Sequence, residues 1–118
     1  MLINMLKLYD YLEDMTAGNG RHWYYQNRLK YYMSDIMEEL HISEEDAHIS
    51  VKRACLACLQ LDIPVDLNFK RTFSHDGNTL KADWKLSALA CYLVIINADP
   101  ANENVARAQL FFAMNTSR

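Results

Sequence analysis

Apolar side chains recur at intervals of three and four residues over most of this chain, which is the spacing of amphipathic helices. The first run covers residues 2 to 15 and ends at TAGNG, residues 16 to 20, which is typical of a loop. A second run extends from about residue 27 to residue 40, and a third from about residue 43 to residue 61. In the third run we expect the side chain of Leu61 to point towards the core. Together the three runs predict that the first half of the chain is mainly helical.

Residues suited to helix ends mark the boundaries of these helices. Ser43 is a predicted N-cap, since its hydroxyl can accept a hydrogen bond and acidic residues follow it. Pro64 ends any continuation of that helix. Asn97 is predicted to end a later helix in the left-handed conformation, and Asp99 to cap the last helix with Pro100 at its first position.

The C-terminal third is predicted to hold two helices. Residues 86 to 96 are apolar on nearly every side, so this helix is expected to be central. The last helix has an expected inner face made of Val105, Ala108, Gln109, Phe112 and Ala113.

Between residues 67 and 84 the pattern changes to an alternation of period two. Phe69, Arg71 and Phe73 alternate with polar residues, and the return arm alternates in the same way. The sequence HDGN between them contains Asp-Gly, a strong signal for a tight turn. We therefore predict a β-hairpin near residues 68 to 84.

Length and composition limit the fold. The chain has 118 residues, 51% of them hydrophobic, and only three Gly and two Pro. These values favour one folded domain over a disordered chain or a loop-rich β fold. We predict a single compact domain over residues 1 to 118, of the α+β class and mainly α-helical, with about five helices and one β-hairpin.

The sequence favours a cytoplasmic location. No apolar run reaches the roughly 18 residues of a membrane-spanning helix. The first residues are too polar and their apolar run too short for a signal peptide. The three cysteines are an odd number, which fits a reducing compartment.

Charge is unevenly distributed along the chain. Residues 1 to 50 carry four basic and nine acidic groups, whereas residues 51 to 118 carry eight basic and six acidic groups. The acidic half disfavours general nucleic-acid binding, but the basic half can form one local patch. The candidate nucleic-acid-binding residues lie on or beside the hairpin and on the helix before it: Lys70, Arg71, Lys81, Lys85, Lys52 and Arg53. The alternative is that these are ordinary surface charges that discourage edge-strand pairing.

A tyrosine-rich run offers a different kind of site. Tyr24, Tyr25, Tyr31 and Tyr32 lie in the acidic half, and tyrosine is favoured at protein interfaces. They can equally be residues at the edge of the core. If they form a surface, it would hold a protein partner or a second copy of the chain.

Motifs of catalysis are absent from the sequence. It contains no phosphate-binding glycine loop, no H-E-x-x-H and no G-x-S-x-G. Cys55 and Cys58 form a C-x-x-C pair within an apolar helical stretch, without the further ligands that zinc needs, so we interpret them as core residues. We expect no enzyme, no catalytic residue, no metal, no cofactor and no small-molecule substrate.

The C-terminal segment resembles a known family, the DNA-damage-inducible protein D family, whose members belong with phage and bacterial Bro-N-type domains. The resemblance is strongest over residues 83 to 118, in the stretches DWKLSALACYLVIINADP and VARAQLFFAMNTSR. It is looser over residues 21 to 82, where HWYYQNRL and KRACLACLQLDI are similar to family segments. Ala88 is a departure from the family pattern, since the family often has Arg at this position.

This resemblance implies a helical α+β module that takes part in DNA-damage or phage-type regulation. Together with the basic hairpin, it leads us to expect a non-enzymatic module that binds DNA or a DNA-bound complex. A protein-interaction or self-association module that uses the acidic, tyrosine-rich first half is the alternative.

Overall fold

The computed structural model describes residues 29 to 116 of the chain, with side chains to residue 114. The helix predicted at residues 2 to 15 and the loop predicted at 16 to 20 lie outside the described residues. Within the described part, the order is β1, α1, α2, α3, β2, β3, α4, α5. Their bounds are β1 Tyr31–Tyr32, α1 Met33–Leu40, α2 Glu44–Gln60, α3 Val65–Asn68, β2 Phe69–Asp76, β3 Thr79–Leu86, α4 Ala88–Ile96 and α5 Glu103–Thr116.

The predicted fold class is confirmed: the described residues form an α+β structure that is mainly helical, with five helices and one antiparallel sheet. The predicted hairpin is also confirmed, as β2 and β3, and it reaches two residues further than expected. The sheet has the strand order β1-β3-β2, so β3 is its central strand.

Strand β1 corrects one prediction. The helix expected from about residue 27 begins only at Met33, because Tyr31 and Tyr32 pair with Leu86 and Lys85 of β3. The backbone N–H of Lys30 also donates to the carbonyl of Leu86, at 2.9 Å. Tertiary pairing therefore overrides the helical spacing of the apolar residues here, and tyrosine suits a strand well.

Helices α1 and α2 end in the same manner. Ile42 N–H donates to the Met37 carbonyl and Ile63 N–H to the Cys58 carbonyl, each the closing bond of a Schellman motif. His41 and Asp62 take the left-handed position of these motifs, with φ of 55° and 56°. Since α2 stops at Gln60, Leu61 turns away and is 69% exposed, so its predicted inward orientation is wrong.

The ends of α4 and α5 give further corrections. Asn97 ends α4 at φ −96°, not in the left-handed region, and its side chain donates to the Leu93 carbonyl at 2.7 Å. Asp99 does not cap α5; its carboxylate accepts from Ala101 N–H at 2.9 Å and forms a turn. The cap is Asn102, whose side-chain oxygen accepts from the Asn104 and Val105 N–H groups.

The core surrounds α4, as its apolar sequence predicts. Helices α2 and α5 and the base of β3 all contact α4. On α5, the predicted inner residues Val105, Ala108 and Phe112 are buried, but Ala113 is exposed. Gln109 donates to the Ile95 and Ala98 carbonyls, both at 3.0 Å, which holds α5 against the end of α4. The buried side chains at the centre include Leu40, Ala54, Cys58, Leu86, Ala90, Val94 and Ile95.

Candidate nucleic-acid interface

The hairpin extends from the core as a two-stranded ribbon. At its base Phe69 and Leu86 are buried, whereas every residue from 73 to 82 is exposed. Asp76 and Thr79 form the last pair, so Gly77 and Asn78 make a two-residue loop. Gly77 has φ of 67°, as the first position of a tight hairpin turn requires, and a Cβ there would bring backbone strain.

The register of the hairpin distributes its cations between two faces. Directly paired residues share a face, and side chains alternate along each strand. Lys70 pairs with Lys85 and Ser74 pairs with Lys81, so Lys70, Lys81 and Lys85 lie on one face; we call these three the lysine row. Ser74 lies four residue steps along the strand from Lys70, so the row is about 13 Å long. Arg71 pairs with Trp84 and therefore lies on the opposite face.

At the base of the lysine row, two like charges face each other. Lys70 and Lys85 are direct cross-strand partners, an arrangement that destabilises a hairpin unless an anion lies near. Lys85 Nζ lies 5.7 Å from the centre of the Tyr32 ring, a cation–π contact that stabilises its positive charge. Lys70 is exposed and forms no ion pair with the described residues.

Two carboxylates share this face, and each has a partner. Asp76 lies 3.8 Å from Lys81 Nζ, an exposed pair near the turn. Asp83 accepts two hydrogen bonds from Ser34 in the first turn of α1, at 3.1 Å from its N–H and 2.6 Å from its hydroxyl. The hairpin as a whole carries four cations against two carboxylates, so its net charge is +2.

The opposite face of the hairpin is aromatic and has no carboxylate. Its residues are Phe69, Arg71, Phe73, His75, Leu80, Ala82, Trp84 and Leu86. The Arg71 guanidinium carbon lies 4.9 Å from the centre of the Trp84 ring and 6.0 Å from that of the Phe73 ring. Phe73 is 63% exposed and Leu80 is 58% exposed. We call this side of the hairpin the aromatic face, and Arg71 contacts both the Phe73 and the Trp84 ring on it.

The charge pattern of the sequence identifies Arg71 as a candidate but not the rings beside it. From the sequence, Phe73 and Trp84 are predicted only as apolar positions of two alternating strands. The same alternation contained the signal, since it places Phe73 two residues from Arg71 and on its side of the strand. The cross-strand register that brings Trp84 opposite Arg71 is set by the turn, and the alternation along one strand does not specify it.

A buried polar pair fixes the hairpin to the helical body. Ser87 Oγ donates to the Asn68 side-chain oxygen at 2.6 Å, and both residues have no exposed surface. The same hydroxyl accepts from the Ala90 N–H at 3.0 Å as the N-cap of α4. Asn68 in turn donates to the Pro64 carbonyl at 2.7 Å. The two ends of the hairpin are therefore joined to each other and to α3 and α4.

The two candidates on α2 lie outside the hairpin. Lys52 and Arg53 are both exposed. Arg53 lines a shallow groove of about 340 Å³ together with Asp46, Asp99 and other residues of α2 and of the segment after α4. The hairpin enters α4 at its N-terminus, and this groove lies beyond its C-terminus, about 14 Å along the helix axis for nine residues. Arg53 is therefore placed with carboxylates and not with the lysine row.

The four candidate tyrosines are only partly described. Tyr24 and Tyr25 lie outside the described residues. Tyr31 is half-buried and packs against the core, whereas Tyr32 is exposed beside Lys85. Of the described pair, Tyr32 alone has the exposure that a contact surface needs.

The three thiols are core groups, as the sequence indicated. Cys58 and Cys91 are buried and Cys55 is half-buried, and all three are free. Burial raises the pKa of Cys55, and burial together with the neighbouring Cys55 raises the pKa of Cys58. Burial, with a smaller effect of Glu39, also raises the pKa of Cys91. Each thiol is therefore protonated at neutral pH and is a weak nucleophile.

Neither a metal-binding cluster nor a membrane-spanning helix is found among the described residues. No group of three or more His, Cys, Asp or Glu side chains there is placed to hold a metal ion. Among the described helices, none combines the length and the apolar character that crossing a bilayer demands.

No similarity to a known protein indicates a function for this chain, so the functional proposal is based mainly on the geometry. No protein-family model, no curated protein and no solved structure matches this chain.

Proposed function

We propose that this chain is a non-enzymatic regulatory module that binds DNA, or a DNA-bound complex, through its basic hairpin. The observation that carries the proposal is the direct pairing of Lys70 with Lys85. Two like charges held opposite each other cost free energy in the isolated protein, and a bound phosphate group would remove that cost.

The shape of the hairpin supports the same proposal. A two-stranded β-ribbon that extends from the core can reach a DNA strand, and positive side chains along it can contact the phosphates. The lysine row is about 13 Å long, so it can contact more than one phosphate of a DNA strand. The fixed base, Asn68 with Ser87, means that little order has to be gained on binding.

The setting of the function is proposed from the sequence. The resemblance over residues 83 to 118 favours regulation of the DNA-damage or phage type. The three free thiols favour a cytoplasmic site of action.

The test is DNA binding measured over a series of salt concentrations. Fluorescence anisotropy with a labelled oligonucleotide should show an affinity that falls steeply with salt, because bound counterions are released. Lys70→Gln, Lys81→Gln and Lys85→Gln should each weaken binding and reduce the salt slope by about 1. Arg107→Gln is the matched control, since Arg107 is an exposed cation on α5 paired with Glu103. No binding at low salt, or equal losses in the control, would refute the proposal.

A second candidate function is supported by exposed leucines. Leu56, Leu59 and Leu61 at the end of α2, and Leu67 in α3, are 48 to 69% exposed. Such a group of exposed apolar side chains is typical of a protein–protein contact. A module of this kind would hold a partner or a second copy, with Tyr32 as a further contact. Sedimentation of the wild type and of Leu59→Gln tests it. If the exposed leucines mediate self-association, the variant should sediment with a lower mass than the wild type.

A further inference from the structure

The two faces of the hairpin differ in what they can bind. The lysine row offers positive charge alone. The aromatic face offers flat rings and a flat cation, and Phe73 keeps 63% of its surface exposed. Phe73 and Leu80 are both largely exposed on the same face of the ribbon, and such neighbouring apolar side chains suit a partner with a matching apolar surface.

The charges around these rings limit what the partner can be. Arg71 and His75 are the ionisable residues of that face, and it contains no carboxylate. The lysine row is on the reverse side of the same ribbon. A partner that uses both faces must therefore combine negative charge with flat apolar surfaces.

We infer that the hairpin binds single-stranded DNA in preference to duplex DNA, with the DNA strand along the β2 edge of the sheet, its unpaired bases stacked on Phe73 and Arg71 and its phosphates contacted from the other face by the lysine row. This inference rests on the proposed function and specifies the form of its ligand. Unpaired bases expose both of their π-faces, whereas bases within a duplex are already stacked on their neighbours. Stacking on aromatic rings together with a cationic surface is the usual means of binding single strands without sequence preference.

Arg71 is positioned so that a base can stack on its guanidinium group. Its guanidinium group lies over the Trp84 indole at 4.9 Å, and Arg71 is exposed to solvent. A base placed there would form the third layer of a stack of indole, guanidinium and base. Phe73, two residues along the strand, would take a neighbouring base about 7 Å away.

The experiment compares three ligands of equal length, about 12 nucleotides, within the usual site size of such proteins. They are oligothymidine, an abasic strand with the same phosphates, and a duplex. Anisotropy should show that oligothymidine binds about a hundredfold more tightly than the abasic strand, since each of the two stacked bases contributes about tenfold, and more tightly than the duplex. In a Trp23→Phe background, where Trp84 is the remaining tryptophan, oligothymidine should also quench the fluorescence and the abasic strand should not.

Two variants isolate the stacking groups. Phe73→Leu keeps the apolar bulk without a ring, and Arg71→Lys keeps the charge without a plane. Both should lower the affinity for oligothymidine about tenfold and leave the abasic strand unaffected. Lys70→Gln, in contrast, should weaken binding to all three ligands. Phe73 is largely exposed, so its variant should fold, and circular dichroism checks this.

The possible failures are distinguishable. Equal binding of oligothymidine and the abasic strand, or tighter binding of the duplex, would overturn the stacking inference and leave the proposed function standing. A Phe73→Leu variant that alters self-association in sedimentation, but not DNA affinity, would overturn it in favour of a protein contact. Absence of binding to all three ligands would overturn the inference and the proposed function together.

Discussion

Ser87 and Asn68 stand immediately outside the two ends of the hairpin and share a 2.6 Å hydrogen bond in the interior. The backbone N–H of Ser87 also donates to the Asn68 carbonyl, at 3.0 Å. A polar pair with no exposed surface is stable only if each group has a partner, and here the side-chain groups of both residues do. The pair therefore sets the direction in which the ribbon leaves the core.

Replacement of Ser87 by Ala should destabilise the protein by about 2 to 3 kcal/mol. It removes the N-cap of α4 and leaves the Asn68 oxygen buried without its donor. Urea denaturation measures the change. Ser43→Ala is the matched control, since Ser43 caps α2 at an exposed position through a 3.2 Å bond, and it should cost only about 1 kcal/mol. Equal losses would mean that the Asn68 contact contributes nothing.

Replacement of Asp83 by Asn should weaken the junction of α1 with β3. Tyr32, the N-cap of α1, makes no side-chain capping bond, and Asp83 supplies one from the strand through Ser34. Loss of the negative charge near the start of α1 should cost about 1 kcal/mol, measured by urea denaturation at low salt.

The control for this change is Asp76→Asn, which removes an exposed carboxylate of the same face. Its contact with Lys81 is long and solvated, so the cost should be below about 0.5 kcal/mol. If the two variants lose the same stability, then the Ser34 contact is not a cap.

Cys91 should make the protein less stable at alkaline pH. The pKa of this thiol is raised by burial above its ordinary value of 9.0. Below pH 9.0 both the folded and the unfolded chain keep the proton, so the thiol does not change the stability with pH. Above that value the unfolded chain ionises first, and the free energy of unfolding should fall by up to about 1.4 kcal/mol per pH unit.

The measurement is urea denaturation at a series of pH values on both sides of 9, for the wild type and Cys91→Ala. Other groups titrate in this range, so the difference between the two proteins is the relevant quantity. Its slope should be zero at neutral pH and negative at alkaline pH. A difference that does not depend on pH would show that Cys91 ionises normally in the folded protein.

Local signals in the sequence predicted the parts of the fold that local chemistry determines. Ser43 caps α2 as expected, because its hydroxyl acts within one turn of the same helix. Asp-Gly marked the hairpin, because few residues adopt the backbone conformation of its turn. Asp99 and Pro100 suggest a helix start that the structure does not have, since Asn102 is an equally good cap and its amide donates to the Leu40 and His41 carbonyls.

The candidate site was predictable in part for the same reason. Alternation along β2 separates Lys70 from Arg71, and this could be read directly. The contacts of Arg71 with Trp84, of Lys85 with Tyr32 and of Asp83 with Ser34 depend on the register and on the placement of β1 and α1. Those long-range relations are set by packing, and no local pattern encodes them.

Replacement of Lys70 by Gln should stabilise the protein while it weakens DNA binding. The change removes the repulsion from Lys85, so the free energy of unfolding should rise by about 0.2 to 1 kcal/mol. It also removes one phosphate contact, so the salt slope of binding should fall by about 1. Lys81→Gln is the contrasting variant: it loses the Asp76 pair, so it should weaken binding without any gain in stability. Thermal unfolding and anisotropy on the same samples measure both quantities. A Lys70→Gln variant that is less stable than the wild type and binds DNA equally well would show that the paired lysines are ordinary surface charges.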